Sequence, residues 1–279
     1  MKFIPLFMRR CAIVAVSVAV TCATSILPAA AQSPNEVVQA RIIPGWRMSD
    51  GSHMAGLELQ LHPGWKTYWR APGDAGIPPT FDWRQSRNLA GAQIAWPVPK
   101  RMDQGGMTTI GYTGTVVLPL RLTPDRAGGD IRLRGVLDLG VCHDICVPIS
   151  LKVDAALPNT AAKRDPRIAA ALANRPDTAA EAGVGRVACS VRPAKDGGLH
   201  LRAEITLSHR GKGEMVVVET TNPGIWVAPT RTLRQGGRLI AETDLVHVEG
   251  RSFALDRSGL RLTVISAKGA VDIQGCPAG

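Results

Sequence analysis

The sequence predicts a mostly β protein, with an antiparallel β-sandwich followed by a second, smaller β domain. Apolar and polar residues alternate with period two through most of the chain; in Leu57–His62, three leucines take one face and three polar residues the other. Clusters of Gly, Pro and Asp separate these runs and supply turn geometry. A helical pattern occurs in one short segment, so the strands are expected to pair without intervening helices.

Residues 1–31 are typical of an export signal peptide. The segment opens with three basic residues, Lys2, Arg9 and Arg10. An apolar run follows, and Ala29–Ala31 offers small residues for cleavage. A retained N-terminal anchor and a lipoprotein attached through Cys22 are the alternatives. Because no later segment is long and apolar enough to span a bilayer, we expect a mature protein outside the cytoplasm with no stable membrane insertion.

The first β domain is expected over residues 32–156. Its predicted strands are Glu36–Ile43, Leu57–His62, Ala92–Trp96, Thr115–Leu122, Ile131–Val141 and Val147–Val153.

Residues 157–185 shift in composition to Ala, Asn, Asp and Pro, which is typical of a linker. Within it, Asp165 and Pro166 predict the N-cap and first residue of a short helix that continues to Leu172. Alternation then resumes in a second β domain over residues 186–279. Its predicted strands are Leu199–Ile205, Met215–Glu219, Arg238–Val246 and Leu260–Ile265.

The charge is only moderately basic. The chain has a formal net charge of +10, and removal of the signal leaves 30 basic against 23 acidic residues. Arginines are scattered along predicted strands instead of forming one patch, so we expect no nucleic-acid partner. The sequence contains no nucleophile elbow, phosphate loop or metalloprotease signature, and we expect no cofactor.

Four cysteines remain after signal cleavage, and an even count outside the cytoplasm suggests two disulfides. Three pairings are open, and the spacings favour Cys142 with Cys146 and Cys189 with Cys276. A Cys189–Cys276 bridge would join the ends of the second domain and stabilise it by about 4 kcal/mol in the loop-entropy model. We expect it to be structural, with free or redox-active thiols as the alternative.

The sequence around Cys142 and Cys146 predicts a hairpin whose loop is His143–Ile145. The two cysteines fall on the non-core parity of both flanking strands and form the closing cross-strand pair. Their Cα atoms are expected about 4.5 to 5.5 Å apart, which suits a disulfide. Such a small ring adds little stability, so the pair is a candidate for reversible exchange, with His143 as a tuning residue.

Two other interpretations of this pair stay open. One is a purely structural bridge or adaptor module. The other is Cu(I) binding, because two thiolates with Met102 and Met107 nearby would be soft ligands.

Several motifs, taken in order, resemble a known family. They are Pro63–Arg70, Gly73–Pro79, Trp96–Pro99, Gly111–Tyr112, Leu118–Leu120 and Val141–Pro148. Together they are similar to the N-terminal periplasmic domain of the DsbD transmembrane reductases, and more closely to relatives in the ScsB group linked to copper tolerance. The resemblance covers roughly residues 36 to 155.

The resemblance implies an immunoglobulin-like fold, a periplasmic location and thiol:disulfide interchange activity. It implies that Cys146 forms mixed disulfides, that Cys142 resolves them, and that the partners are periplasmic thioredoxin-like proteins and a membrane electron donor. It also places a cap loop at Lys100–Ile110, where Met102 and Met107 would cover the sulfurs by flexible packing. The chain departs from well-known members in its shorter C-x3-C spacing and in lacking a following transmembrane domain, so its reductant is expected to be a separate molecule.

Overall fold

The computed structural model describes residues 37–160, 162–194 and 197–278. The predicted signal peptide lies outside these residues. The described residues form two β-sandwiches with one short helix between them, which confirms the predicted fold class.

Ten strands build the first sandwich. They are β1 (Val38–Arg47), β2 (His53–Leu61), β3 (Lys66–Gly73), β4 (Thr80–Asp82), β5 (Gly91–Ile94), β6 (Lys100–Gln104), β7 (Met107–Thr113), β8 (Thr115–Thr123), β9 (Ile131–Cys142) and β10 (Cys146–Leu157). One sheet has the order β1-β2-β8-β5. The other has the order β10-β9-β3-β7-β6, with β4 also paired to β9. The immunoglobulin-like sandwich encloses one apolar core between these sheets.

All six strands predicted in this domain are present, with ends shifted by a few residues. The prediction omitted four further strands, β3, β4, β6 and β7. Two of them, β6 and β7, occupy most of the segment expected to be a cap loop and pair as a regular antiparallel hairpin.

The predicted half-buried strand Leu57–His62 is confirmed except at Glu58. The three leucines lie in the core and Gln60 and His62 are exposed, but Glu58, on the polar face, is only 6% exposed. The reason is the helix α1 (Pro166–Ala173), whose Ile168 side chain packs against the backbone of Gly56 on the outer face of the sheet. The Glu58 carboxylate is neutralised there by Arg41 and Arg167.

Helix α1 itself is confirmed as predicted. The Asp165 side chain accepts a hydrogen bond from the backbone N–H of Arg167, and Pro166 is the first helical residue. Ile168 is fully buried and anchors the helix to the first sandwich.

Nine strands follow the first sandwich and form the two sheets of a second one. They are β11 (Asp177–Thr178), β12 (Val187–Pro193), β13 (Leu199–Thr206), β14 (Met215–Glu219), β15 (Ile225–Val227), β16 (Arg231–Gln235), β17 (Arg238–His247), β18 (Arg261–Ser266) and β19 (Gly269–Gln274). One sheet has the order β11-β19-β18-β14 and the other β12-β13-β17-β15, with β16 also on β17.

The two sandwiches pack directly on each other. Ile265 and Ala270 of the second belong to the apolar core of the first, and Met215 and Val217 pack against it. A well-shielded ion pair crosses the same boundary, because Arg70 donates two hydrogen bonds, of 2.9 and 3.0 Å, to the carboxylate of Glu219.

Candidate functional site

The candidate site is the hairpin between β9 and β10. Cys142 ends β9, Cys146 begins β10, and the two residues pair directly across the strands. The three-residue loop 143–145 is closed by a hydrogen bond from the His143 N–H to the Ile145 carbonyl. The cysteines form a disulfide with their Cα atoms 4.1 Å apart, slightly closer than the spacing expected of a cross-strand pair.

The two cysteines differ sharply in accessibility. Cys142 is completely buried, whereas Cys146 is exposed. Both lie on the outer face of their sheet, because the alternate residues Leu139 and Val141 point into the sandwich core. An attacking thiolate from solvent therefore meets Cys146 first.

Tyr68 of β3 reaches both sulfurs from the neighbouring strand. Its hydroxyl donates a hydrogen bond of 2.8 Å to Cys142 Sγ and lies 3.4 Å from Cys146 Sγ. The side chain is 1% exposed, and burial raises the pKa of the phenol above its usual value of 10.0. The hydroxyl is therefore protonated at neutral pH and available as a donor.

Glycines on adjacent segments make room for the Tyr68 ring. A Cβ atom on Gly76 would lie 2.7 Å from Tyr68 Cδ1, and one on Gly140 would lie 3.2 Å from Tyr68 Cδ2. A Cβ atom on Gly140 would also lie 2.6 Å from Ile77 Cβ. The ring is thus held in a tight slot between β9 and the loop that follows β3.

Lys66 is the residue of β3 that pairs directly with Cys142. It lies at the same end of the sheet as the disulfide. Burial lowers the pKa of its ammonium group, and the charge of Asp103 partly offsets that effect. A cation beside a cysteine favours the thiolate over the thiol.

His143, the predicted tuning residue, is directed toward the turn before β3. Its ring lies 5.8 Å from that of Trp65, and its Nδ1 is 2.9 Å from the Asp144 carboxylate. A Cβ atom on Gly64 would lie 2.5 Å from His143 Nε2, so the absence of a side chain at that position is what admits the ring.

The methionines expected in a cap lie on the β6–β7 hairpin at the edge of the sheet. Met102 is half-buried and Met107 is 45% exposed. Strands β3 and β7 separate Met102 from the cysteine-bearing β9. Tyr68 reaches both sulfurs, and the 74–79 loop lies beside its ring at Gly76.

Sequence reasoning did not single out Tyr68, Ile77 or Lys66. The available signal was indirect: Tyr68 and Ile77 both fall within segments that carry the family resemblance.

The second disulfide joins Cys189 and Cys276, with Cα atoms 5.5 Å apart. Both residues are 1% exposed and belong to the apolar core of the second sandwich. Such burial is expected of a bridge that fixes the fold and is not open to exchange.

Across residues 37–160, 162–194 and 197–278, no group of three or more His, Cys, Asp or Glu side chains is arranged to hold a metal ion. Within the same part of the chain, no helix has the length and apolar character that a membrane crossing requires.

One family model matches the first part of the chain. Residues 34–158 match the family model described as "Thiol:disulfide interchange protein DsbD, N-terminal". No curated protein matches the chain.

Among solved structures, the N-terminal periplasmic domain of ScsB from Proteus mirabilis is 24% identical with a TM-score of 0.62. That match covers 87% of this chain and 92% of the other. The N-terminal domain of DsbD from Neisseria meningitidis, in its reduced form, is 12% identical with a TM-score of 0.27, covering 45% of this chain and 89% of the other. Over residues 34–158 the chain is thus similar to the family of DsbD N-terminal domains, as the sequence predicted.

Proposed function

We propose that this protein is a periplasmic thiol:disulfide exchange protein that carries electrons on the Cys142–Cys146 pair. The observation that carries the proposal is the asymmetry of the disulfide, with Cys146 exposed and Cys142 buried at the tip of a hairpin. A disulfide that closes so small a ring adds less to stability than one that spans a long stretch of chain, and this one is open to attack at one sulfur. The match of residues 34–158 to the family model of the N-terminal domain of thiol:disulfide interchange proteins supports the same role.

The exchange begins when the thiolate of a dithiol partner attacks Cys146 Sγ along the S–S axis. The Cys142–Cys146 bond breaks, a mixed disulfide forms at Cys146, and Cys142 leaves as a thiolate. The partner's second thiol then attacks its own sulfur in the mixed disulfide and releases Cys146. The partner becomes a disulfide, and the pair gains two electrons and, with them, two protons.

The reverse sequence oxidises the pair. The Cys146 thiolate attacks a partner disulfide, and Cys142 resolves the mixed disulfide by attacking Cys146 Sγ. Partners of this chemistry are thioredoxin-like periplasmic proteins and a membrane electron donor. The relative reduction potentials set the direction of net flow.

Other parts of the chain take supporting roles in this proposal. Residues 1–31 direct export and are removed. Residues 32–156 form the exchange domain, residues 157–185 form the linker, and residues 186–279 form a second domain held by the structural Cys189–Cys276 bridge.

A redox titration of the mature protein in glutathione buffers tests the proposal. Each cysteine is assigned by differential alkylation and mass spectrometry. We expect Cys142–Cys146 to titrate reversibly in the range of catalytic dithiols, about −120 to −270 mV, while Cys189–Cys276 stays oxidised. A Cys142–Cys146 pair that resists reduction below about −300 mV, or that never forms, would overturn the proposal.

A trapping experiment tests the assignment of the two sulfurs. A Cys142→Ser variant retains the attacking Cys146 and should accumulate mixed disulfides with periplasmic thiol proteins. The matched Cys146→Ser variant should accumulate few or none, since its remaining thiol is buried. Equal trapping by both variants would contradict the assigned roles.

A further inference from the structure

We infer that Tyr68 is a catalytic residue of this exchange, with its hydroxyl stabilising the Cys142 sulfur as that sulfur leaves and returns. The inference rests on the proposed function, because it assigns a role within the same reaction. It starts from contacts between one phenol and the two reacting sulfurs.

The hydrogen bond selects one sulfur of the pair. The Tyr68 hydroxyl is 2.8 Å from Cys142 Sγ and 3.4 Å from Cys146 Sγ. The nearer sulfur is the buried one, which becomes a thiolate when Cys146 is attacked. The donor is therefore directed at the atom on which negative charge develops.

Burial makes this donor necessary. Cys142 has no solvent-exposed surface, so water cannot reach its thiolate in this conformation. An anion without hydrogen bonds in such a place is strongly disfavoured. A hydrogen bond to a charged acceptor is worth roughly twice a neutral one, so the contact gains strength as the S–S bond breaks.

The slot around the ring keeps the hydroxyl in position. Gly76 and Gly140 flank opposite edges of the Tyr68 ring, closely enough that a Cβ atom at either position would crowd the ring. The raised pKa of the phenol keeps it protonated over the range in which thiols ionise. A fixed, protonated donor requires little reorganisation during the reaction.

The same contact acts in the reverse direction. When Cys142 resolves a mixed disulfide, it must first be a thiolate, and the Tyr68 hydrogen bond lowers the pKa of that thiol. Removal of the hydroxyl should therefore leave less Cys142 thiolate at a given pH and slow the opening of the disulfide by an external thiolate.

The test measures the ionisation of Cys142 in a Cys146→Ser variant, where Cys189 and Cys276 remain bridged. The ¹³Cβ shift of labelled cysteine reports ionisation without reagent access to the buried thiol. Adding Tyr68→Phe should raise the pKa of Cys142 by about one unit, a tenfold loss of thiolate below that pKa. In the otherwise unmodified chain, Tyr68→Phe should slow disulfide opening by dithiothreitol about tenfold.

Tyr112 provides a matched control. It is the second of the two tyrosines in the chain, is buried in the same sheet, and donates its hydroxyl to the Pro97 carbonyl. Tyr112→Phe removes a buried phenol hydrogen bond, and we expect the pKa of Cys142 to stay within about 0.3 units of its starting value. A shift equal to that of Tyr68→Phe would overturn the inference, because the effect would then not depend on contact with the sulfur.

A second measurement covers the case in which Tyr68→Phe fails to fold. Global incorporation of 3-fluorotyrosine into the Tyr112→Phe variant places fluorine at position 68 alone. A more acidic phenol is a stronger donor, so the pKa of Cys142 should fall. An unchanged or higher pKa would overturn the inference. These pKa outcomes are independent of the glutathione titration, which alone decides the proposed function.

Discussion

The glycine at position 140 determines how close the loop after β3 can come to strand β9. A Cβ atom there would lie 2.6 Å from Ile77 Cβ and 3.2 Å from the Tyr68 ring. The Ile77 atom belongs to the root of a branched side chain, so it cannot move aside without moving the loop. Gly140, two residues before Cys142, thus leaves the space that the Tyr68 ring and Ile77 occupy.

Gly140→Ala should destabilise the oxidised protein by about 1–3 kcal/mol through overpacking. Guanidinium unfolding monitored by tryptophan fluorescence measures the change. Gly91→Ala is the control, because a Cβ atom at position 91 meets nothing within 4 Å. Equal stability of the two variants would show that the space between Gly140, Ile77 and the Tyr68 ring can accommodate a methyl group.

Either the 74–79 loop or the β6–β7 hairpin could shield the disulfide, and each carries one exposed apolar side chain. Ile77, in the 74–79 loop, is 41% exposed, and Met107, on the β6–β7 hairpin, is 45% exposed. The loop side chain covers Gly140 and adjoins Tyr68, while the hairpin is separated from β9 by β3.

We expect Ile77→Ala to increase the rate of Cys142 alkylation in the reduced protein about threefold or more, a barrier change of about 0.7 kcal/mol. Met107→Ala should leave the rate unchanged. Iodoacetamide labelling followed by mass spectrometry gives both rates. The opposite ranking would show that the β6–β7 hairpin shields the disulfide, as the family resemblance implies.

The β9–β10 hairpin and its two cysteines were predictable because the sequence signals that indicate them are local. Parity along β9 and β10 placed both sulfurs on one face, and the spacing fixed the loop length. Tyr68 was not predictable in this way, since it contacts Cys142 across 74 positions of sequence. The burial of Glu58 on β2 escaped prediction for the same reason, because its partners include Arg167, which is 109 residues away.

The second sandwich depends on one long-range covalent link. The Cys189–Cys276 bridge spans 87 positions and restricts the unfolded chain far more than the Cys142–Cys146 bridge, which spans 4.

Replacing Cys189 and Cys276 with alanine should lower the free energy of unfolding by about 4.6 kcal/mol in the loop-entropy model. The Cys142→Ala, Cys146→Ala double variant is the matched control, for which the same model gives about 2 kcal/mol. Urea unfolding compares the two. A larger loss from the control would contradict the division into a structural and an exchangeable bridge.

A cluster of charges where the two sandwiches meet makes stability depend on acid pH. Burial is the largest single effect on Asp272 and raises its pKa. The hydrogen bonds and charge of Arg261, at 2.7 Å, together with Gln274 and Arg70, outweigh burial and hold the pKa below 3.8. Arg70 is the residue that crosses to Glu219. A depressed folded-state pKa stabilises the fold above the unfolded value, and the gain is lost as pH falls through the folded value.

Asp272→Asn should therefore cost about 1–2 kcal/mol of stability at pH 6, and the difference from the unmodified protein should shrink toward pH 2. Unfolding curves recorded from pH 2 to 7 measure this difference in the free energy of unfolding. Asp125→Asn, at an exposed turn, changes the same formal charge and should have no comparable effect. A difference that stays constant down to pH 2 would show that Asp272 does not act through its ionisation.

The one-sided exposure of the disulfide also constrains how the proposed carrier can turn over. With Cys142 enclosed, donor and acceptor must approach the same sulfur through the same opening at Cys146. They cannot be bound productively together, so no ternary complex conducts electrons straight through. Turnover is then ping-pong: each partner competitively inhibits the other, and the reduced protein must diffuse free between its two encounters.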